Sequence, residues 1–537
     1  MQRKIMNLLP LVSVTALFLF IQLGNPLAGG HSDEPLYIGI ARDMMIRHDW
    51  VLPTLHGKLA FYKPPLLYWM MMISFKIFHQ SSLFAARFPA ALCGVIAVFF
   101  TVLLGEQLFL ERQGKLAGWL TATTVPGLYA YARAALMDIP LVCFMTASLY
   151  FFVRAAKEKK SGFLIPAFLC FALTSLLKGP VGLLIPVLPV LWIFYREKSW
   201  RLLLTWQGLL GVVSAIFIVL WWPIAVYTRG EWNAWVQFFI VQENLGKFNR
   251  QFDPTTHATP GRVVWIHLLS QFMPWSFFLI ASCFLFLIKK ENRNLSVVFL
   301  LLWIASVVFI FLLPEKKLSH YTLPAIPATA LLVAALAGDN VIASLCTAIL
   351  TAVVGLVLLP LSGITSGIQN TALILLSSCA FLYASYSLFC RRLQHAAYGL
   401  GIFLIFFAFG LPHLMSTLNV NDFKEKTASE TVIGYKIDLA ILGSALHKEI
   451  PYVDTPEGLQ GKQGLLVLRE RDETELLNRG IKLSSPLLSW TAWKDHIRIL
   501  ELFHAIRTRD REFLNQPIVA VKIAAVLSSS SDNTSCR

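Results

Sequence analysis

Charge is scarce in this chain of 537 residues: Asp, Glu, Lys and Arg together make up 14% of it and hydrophobic residues 56%. Soluble proteins carry about a quarter charged residues, so a soluble globular domain is excluded. Cysteine is sparse too, with eight in the chain, and Cys93, Cys143, Cys170, Cys283, Cys346 and Cys379 sit in apolar runs. With no C-x-x-C pair and no metal-ligand spacing, they read as small apolar residues, not a disulfide framework or a metal centre. Internal repeats and low-complexity tracts are also missing, apart from a Ser-rich end at 528–535. The lack of a repeat argues against transporter architectures, which are commonly built from inverted or parallel repeats.

What the chain has instead is long apolar runs. A helix needs about 20 apolar residues to cross a bilayer, and that ruler gives thirteen candidate spans at 5–24, 84–104, 115–131, 137–154, 162–177, 180–195, 203–226, 264–288, 295–313, 322–338, 341–360, 371–390 and 397–414. The first follows Met-Gln-Arg-Lys and is read as a retained helix, not a cleaved signal peptide. With a cytoplasmic N terminus, the inside loops contain Arg3 and Lys4, Arg112 and Lys115, "RAAKEKK" (154–160), "REKSWR" (196–201), "KKENR" (289–293), and Arg391 with Arg392. That basic bias satisfies the positive-inside rule. The net charge of +15 is therefore largely topological and no argument for nucleic acid. The fold class is an all-α polytopic membrane protein of about thirteen transmembrane helices, with residues 1–414 forming the membrane domain. Residues 415–537, where charge rises and apolar runs shorten to "GLLVLRE" (464–470) and "QPIVAVKIAAV" (516–526) beside a helix-like stretch at 496–507, are expected to form a small α/β domain outside the cytoplasm.

Two outer loops stand out, 25–82 and 227–263. In the first, Leu36, Ile40, Met44 and Met45 recur at helical spacing opposite Arg42, Asp43 and Arg47, which predicts an interfacial amphipathic helix. The run "FYKPPLLYW" (61–69) predicts a second, starting at Pro65 and laying Leu66, Leu67, Trp69, Met70 and Ile73 along the membrane surface. Pro64 and Pro65 hold Lys63 out of that helix, just before an N terminus that favours an anion.

Chemistry concentrates on the same side. Asp33 and Glu34, in "HSDEPLY", form a carboxylate pair at the membrane edge, although two acids in a solvated loop are ordinary. Lys63, Arg133, Lys178, Lys247, Arg250, Arg262, Lys316 and Lys317 lie where the positive-inside rule predicts few cations. Asp138, Glu243 and Glu315 compensate part of this charge, and an anionic ligand would compensate more. Bland readings stand beside each. Lys178 in "LLKGPVG" suits a helix C terminus, Arg133 and Asp138 suit a pair across a tight hairpin, Lys316 and Lys317 suit snorkelling to headgroups, and His257 suits a polar loop.

The run "DEPLYIGIARDMMIRHDWVLPTLHGKLAFYKPPLLYW" resembles the first outer loop of the 4-amino-4-deoxy-L-arabinose lipid A transferases. These are polyprenyl-phosphate-dependent glycosyltransferases of the C superfamily, related to protein O-mannosyltransferases. "ALMDIPL", "LLKGPVGLL", "WPIAV", "FFIVQENLGKF" and "PEKKLSHYTLPAIPA" continue the resemblance in order from about 33 to 330. It implies an inverting glycosyltransferase on the outer face of the bacterial inner membrane, moving a sugar from a polyprenyl-phosphate carrier to lipid A or another glycan or protein acceptor. By that resemblance Asp33, with Glu34, is catalytic, and Lys63, Arg133, Lys178, Lys316 and Lys317 hold the lipid phosphate. Tyr37, Asp138, Glu243, Asn244, His257, His320 and Tyr321 position substrate. One departure matters: many relatives carry Glu before the lysine, and this chain has Tyr62. That Glu has been associated with a metal, so no metal and no cofactor are expected here. A monomer among membrane lipids is expected, and a flippase for anionic lipid-linked substrates is the alternative.

Overall fold

The computed structural model describes residues 2–25, 33–55, 57–248, 259–292, 294–315, 317–362 and 368–415, and in the C-terminal part 423, 425, 427, 430–435, 451–453, 455–459, 464–479, 481–484, 486–493 and 515–526. The chain divides into two compact units, one of residues 1–24, 29–357 and 376–409, the other of 25–28, 358–375 and 410–537.

The first unit is helical. Among the described residues, seven helices are long and apolar enough to cross a membrane, or eight if the pair Arg262–Gln271 and Ser276–Ile288 counts as one. Shorter apolar helices at Leu8–Phe20, Pro180–Arg196, Val341–Val357 and Leu393–Phe409 fall on four further expected spans. The chain is thus a multi-pass membrane protein. Two expected spans change form. The 264–288 run is bent by 118° at its break, where Pro274 offers no N–H to continue the helical ladder. The 115–131 run is a helix of 12 residues, Glu111–Ala122, ending in a π-helical turn at Val125–Tyr129 that contains Pro126 and Gly127.

Helices α1 (Gln2–Phe20), α2 (Glu34–Ile46), α3 (Leu66–Ile77), α4 (Leu83–Leu108) and α5 (Glu111–Ala122) open the chain. The α4 helix starts where the Ser82 hydroxyl accepts the Ala85 N–H, a cap that satisfies one of the donors orphaned at a helix start. It approaches α5 so closely that a Cβ on Gly105 would stand 2.5 Å from the Gly114 Cα, hence two small residues at the crossing. The helix Asp138–Glu158 is central, with 83% of its apolar window buried, whereas Trp206–Thr228 has 22% buried and turns its apolar surface outward.

The described residues of the segment between α1 and α4 are ordered around buried aromatics. On α2 the buried face is Tyr37, Ile38, Ile40, Ala41 and Met44, while Leu36 and Met45, expected on that face, are only half-buried. A small hairpin follows, β1 (Thr54–Leu55) against β2 (Lys58–Leu59), with Gly57 at φ +75° in its turn and its N–H donated to Asp43 Oδ2. The α3 helix begins at Leu66, with Pro65 as its cap. Leu67, Tyr68, Met71, Met72 and Phe75 turn inward; Leu66, Trp69 and Met70 are half-buried and Ile73 exposed, so Leu67 leaves the surface face expected for it. Leu52 and Phe61 of this loop pack with Leu176, Trp222, Val226, Trp235 and Phe239. The Trp222 indole N–H is donated to the Val51 carbonyl and that of Trp69 to the Trp50 carbonyl. This cluster brings the segment bearing Lys63 against the segment bearing Glu243.

The second unit contains a six-stranded mixed sheet, ordered β4 (Tyr452–Val453), β3 (Val432–Tyr435), β5 (Leu465–Arg469), β8 (Asn515–Val526) and β6 (Ile481–Leu483), with β7 (Leu488–Trp493) also on β8. The β8 strand is central because, over its 12 residues, it pairs with β5 along one edge and with β7 and then β6 along the other. The apolar runs legible in "GLLVLRE" and "QPIVAVKIAAV" are β5 and β8. The stretch 496–507 lies outside the described residues.

Candidate active site

The α2 helix starts at a buried ionic clamp. Glu34 is 0% exposed, and Arg87, also 0% exposed, donates Nε to its Oε1 at 2.7 Å and Nη2 to its Oε2 at 2.8 Å. The Ala135 N–H adds a bond to Oε1 at 2.7 Å, and Arg87 Nη1 donates to the Leu23 carbonyl at 3.1 Å. A buried pair holds together only when its geometry is good and the remaining donors and acceptors are met, as here. The clamp ties α2, α4 and the 130–137 segment to one point. Asp33 immediately precedes it as the cap residue of α2; its carboxylate makes no capping bond to the helix and is half-buried. The two neighbouring acids therefore have different surroundings: Glu34 is enclosed by its partners and Asp33 sits at the edge.

Two lysine–carboxylate pairs lie near Asp33. Lys63 Nζ donates to Glu243 Oε2 at 2.6 Å and to the Tyr62 carbonyl at 2.9 Å. Lys178 Nζ donates to Asp138 Oδ1 at 2.6 Å and stands over the rings of Tyr321 and Phe311 at 5.1 and 5.6 Å. The pairs are partly enclosed, Lys63 and Glu243 being 17% and 21% exposed and Lys178 and Asp138 10% and 5%. Lys178 ends its helix at Gly179, whose φ of +63° with ψ of −143° suits glycine alone. A Cβ there would come within 3.1 Å of the Phe239 ring.

Tyr37 registers this field. Burial first, then Tyr68, Asp33, Asp138 and Glu243, push its phenol well above the usual range. Tyr68 is driven up as well, by burial first and then by Glu243 and Tyr62, and its buried hydroxyl has no hydrogen-bond partner among the described residues. Asn244 Nδ2 donates to the Phe239 carbonyl at 2.6 Å, which closes the turn carrying Glu243. Tyr321 stacks on Phe311 at 4.6 Å, and buried His320 lies against Tyr321 and Tyr131. Tyr62 packs edge-on to Phe238 at 4.9 Å between ring centroids.

Two expectations change. Arg133 does not pair with Asp138: its Nη1 donates to the Phe18, Leu19 and Ile21 carbonyls, answering the carbonyls and negative dipole end of α1. Asp138 instead takes Lys178. Lys317 does not snorkel outward, since it is 8% exposed and gives Nζ to the Pro314 carbonyl at 2.6 Å. Lys316 and His257 lie outside the described residues. Among the described residues no three of His, Cys, Asp and Glu gather as metal ligands. Arg87 was not singled out from the sequence, although an arginine inside an otherwise apolar span is a signal of a buried partner.

Residues 62–222 match the family described as dolichyl-phosphate-mannose-protein mannosyltransferase. A Yersinia enterocolitica protein named undecaprenyl phosphate-alpha-4-amino-4-deoxy-L-arabinose arabinosyl transferase is 30% identical over 318 residues, 57% of this chain and 55% of that protein. An uncharacterized protein of Aquifex aeolicus is 27% identical over 327 residues, 61% and 63% of the two chains. The chain thus spans less than two thirds of the length of these curated relatives. Crystal structures of ArnT from Cupriavidus metallidurans, apo and bound to undecaprenyl phosphate, align over 96% of this chain and 98% of that one at 18% identity, with TM-scores of 0.66 and 0.64. The fold is therefore that of the ArnT structures. In sequence, over 57% of its length, the chain is similar to the protein named undecaprenyl phosphate-alpha-4-amino-4-deoxy-L-arabinose arabinosyl transferase.

Proposed function

We propose that the protein is an inverting glycosyltransferase that moves 4-amino-4-deoxy-L-arabinose or a related sugar from a polyprenyl phosphate to lipid A or another glycan on the outer face of the bacterial inner membrane. The observation that carries this reading is the meeting of two lysine–carboxylate pairs, Lys63–Glu243 and Lys178–Asp138, with Asp33 around Tyr37. Outside the cytoplasm there are no nucleotide sugars, so a donor arrives on a lipid with one phosphate between sugar and polyprenol. As the acceptor oxygen bonds to C1, the C1–O bond breaks and its electron pair goes to that phosphate. Preorganised cations act most strongly where charge develops.

An ammonium has three donors, and Lys63 gives two of them to Glu243 and Tyr62. Its third is available to a phosphate oxygen without loss of the first two. Lys178 serves in the same way, with Lys316 or Lys317 as a further cation. For a hydroxyl acceptor Asp33 takes the proton as the C1 bond forms. A phosphate acceptor is already anionic, and Asp33 then orients it or steadies positive charge on the sugar ring. Glu34 is assigned to anchoring and Arg133 to the end of α1, while Tyr37, Asn244, His320 and Tyr321 shape the sugar site. The same reading carries thirteen spans, a cytoplasmic N terminus, a periplasmic domain at 415–537 and a monomer.

The test is mass spectrometry of lipid A and surface glycans from cells with and without the gene. Loss of one aminopentose per acceptor is expected in the deletion, and identical profiles overturn the reading. Asp33→Asn should abolish transfer in the purified, folded chain. Substantial residual turnover, or a product that retains the donor's anomeric configuration, refutes the mechanism.

A further inference from the structure

Three short basic segments that the sequence places on one side of the membrane, those of Arg112, Lys289 and Arg391–Arg392, meet around a single cavity of about 540 Å³. Gln113 and Asp339 also line it. The cavity is at the end of the helical unit remote from the transfer site. The α4 helix runs from Arg87, at the clamp, to Leu108, three residues before α5 starts at Glu111 beside Arg112. From Arg87 to Leu108 this helix rises about 32 Å at 1.5 Å per residue. The helical segment Ser319–Leu336 likewise runs from Tyr321 in the site to Leu336 in the cavity wall.

A basic bias at this end follows from the positive-inside rule. That rule accounts for the sign of the charge and not for a cavity that collects it. Four cations face one carboxylate, Asp339. Lys289 reaches Glu291 at 3.8 Å with both side chains largely exposed. Arg112, Arg391 and Arg392 have no ion pair among the described residues. The two adjacent arginines are held in place by their own backbone: Arg391 sits at φ +57°, its N–H donated to the Leu388 carbonyl at 2.8 Å, and the Arg392 N–H to the Ser387 carbonyl at 2.7 Å. Gln113 Oε1 is buried and lacks a partner among the described residues.

We propose that this cavity binds the phosphate of an anionic phospholipid of the phosphatidylglycerol type, at the end of the bundle opposite the transfer site. Guanidinium groups match phosphate oxygens in a two-pronged fashion, and basic pockets between membrane helices recognise lipid headgroups. The volume falls within the range of small-ligand sites, about 300–1,000 Å³. Gln113 and Asp339 add acceptors for the headgroup hydroxyls, which a bare phosphate lacks.

The experiment uses the full chain in phosphatidylcholine nanodiscs, with binding of dioctanoyl phosphatidylglycerol followed by native mass spectrometry. Parallel arms use dioctanoyl phosphatidylcholine and inorganic phosphate. The triple variant Arg112→Gln, Arg391→Gln, Arg392→Gln should weaken phosphatidylglycerol binding at least tenfold. Leu116→Trp, which fills the cavity from its apolar wall and leaves every charge in place, should weaken it too. Retained affinity in both variants overturns the site. Inorganic phosphate displacing the lipid at equal concentration overturns the lipid assignment.

Discussion

Breaking the Glu34–Arg87 clamp tests the idea that it anchors the start of α2. Arg87→Met removes both guanidinium bonds at 2.7 and 2.8 Å and leaves a carboxylate of 0% exposure with the Ala135 N–H. Glu34→Leu leaves the guanidinium with the Leu23 carbonyl at 3.1 Å. Stranding one charge of a buried pair costs about 3–5 kcal/mol, whereas replacing both partners by apolar groups of similar volume is often neutral. Each single variant should therefore lose about 3–5 kcal/mol, and the double variant should lose less than either. That pattern corresponds to a coupling of at least about 3 kcal/mol in a double-mutant cycle. Denaturant titration of the purified chain in detergent measures the stabilities, and single-turnover transfer measures the site. Because Asp33 is the residue next to the clamp, the singles should lose turnover more than donor affinity, and the double should recover fold without full turnover. Singles that cost under about 1 kcal/mol, or costs that simply add, refute the clamp, since only exposed pairs behave that way.

Three further expectations can be checked on the same preparation. Tyr37 is held neutral in the fold and ionises near pH 10 when unfolded, so its stabilising contribution is complete below pH 10 and lost above it. Wild type should lose about 1 kcal/mol more than Tyr37→Phe between pH 10 and pH 11, and equal losses in alkaline unfolding curves contradict the burial argument. Gly179→Ala places a Cβ 3.1 Å from Phe239 at a φ of +63°; it should cost about 1–3 kcal/mol and lower transfer by displacing Lys178, so wild-type kinetics dispose of that link. Lys63→Met should raise the KM for the lipid donor at least tenfold, worth about 1.4 kcal/mol, and an unchanged KM removes Lys63 from the phosphate site.

The membrane class and the start of α3 were legible because they rest on one-dimensional signals. Twenty apolar residues in a row, basic short loops and "KPP" before an apolar helix all act within a few residues of sequence. The α3 start at Leu66 came within one residue for that reason. The pairings were not legible because they join distant positions. Lys63 meets Glu243 across 180 residues and Glu34 meets Arg87 across 53. Arg133 and Asp138 are five residues apart and look like partners, yet the α1 carbonyls capture one and Lys178 the other. Local spacing proposes pairs, and tertiary packing chooses among them.

The different surroundings of Asp33 and Glu34 are the clearest case. Sequence presents them as an adjacent pair of candidate bases. In the helix that begins there, one residue lies at the cap and the next in the first turn, and their side chains diverge. Glu34 points into a junction of α2, α4 and the 130–137 segment where Arg87 and a backbone N–H await it; Asp33 remains at the edge, beside the tyrosine on which Asp138 and Glu243 also act. An anchored neighbour is what a catalytic carboxylate at a helix start needs, because a loop residue held only by its own backbone would wander by more than a proton transfer tolerates. The adjacent carboxylates thus divide into an enclosed Glu34 and an Asp33 at the edge, and the two mutations should separate: Asp33→Asn is expected to stop transfer in a stable protein, while Glu34→Leu is expected to destabilise the protein first.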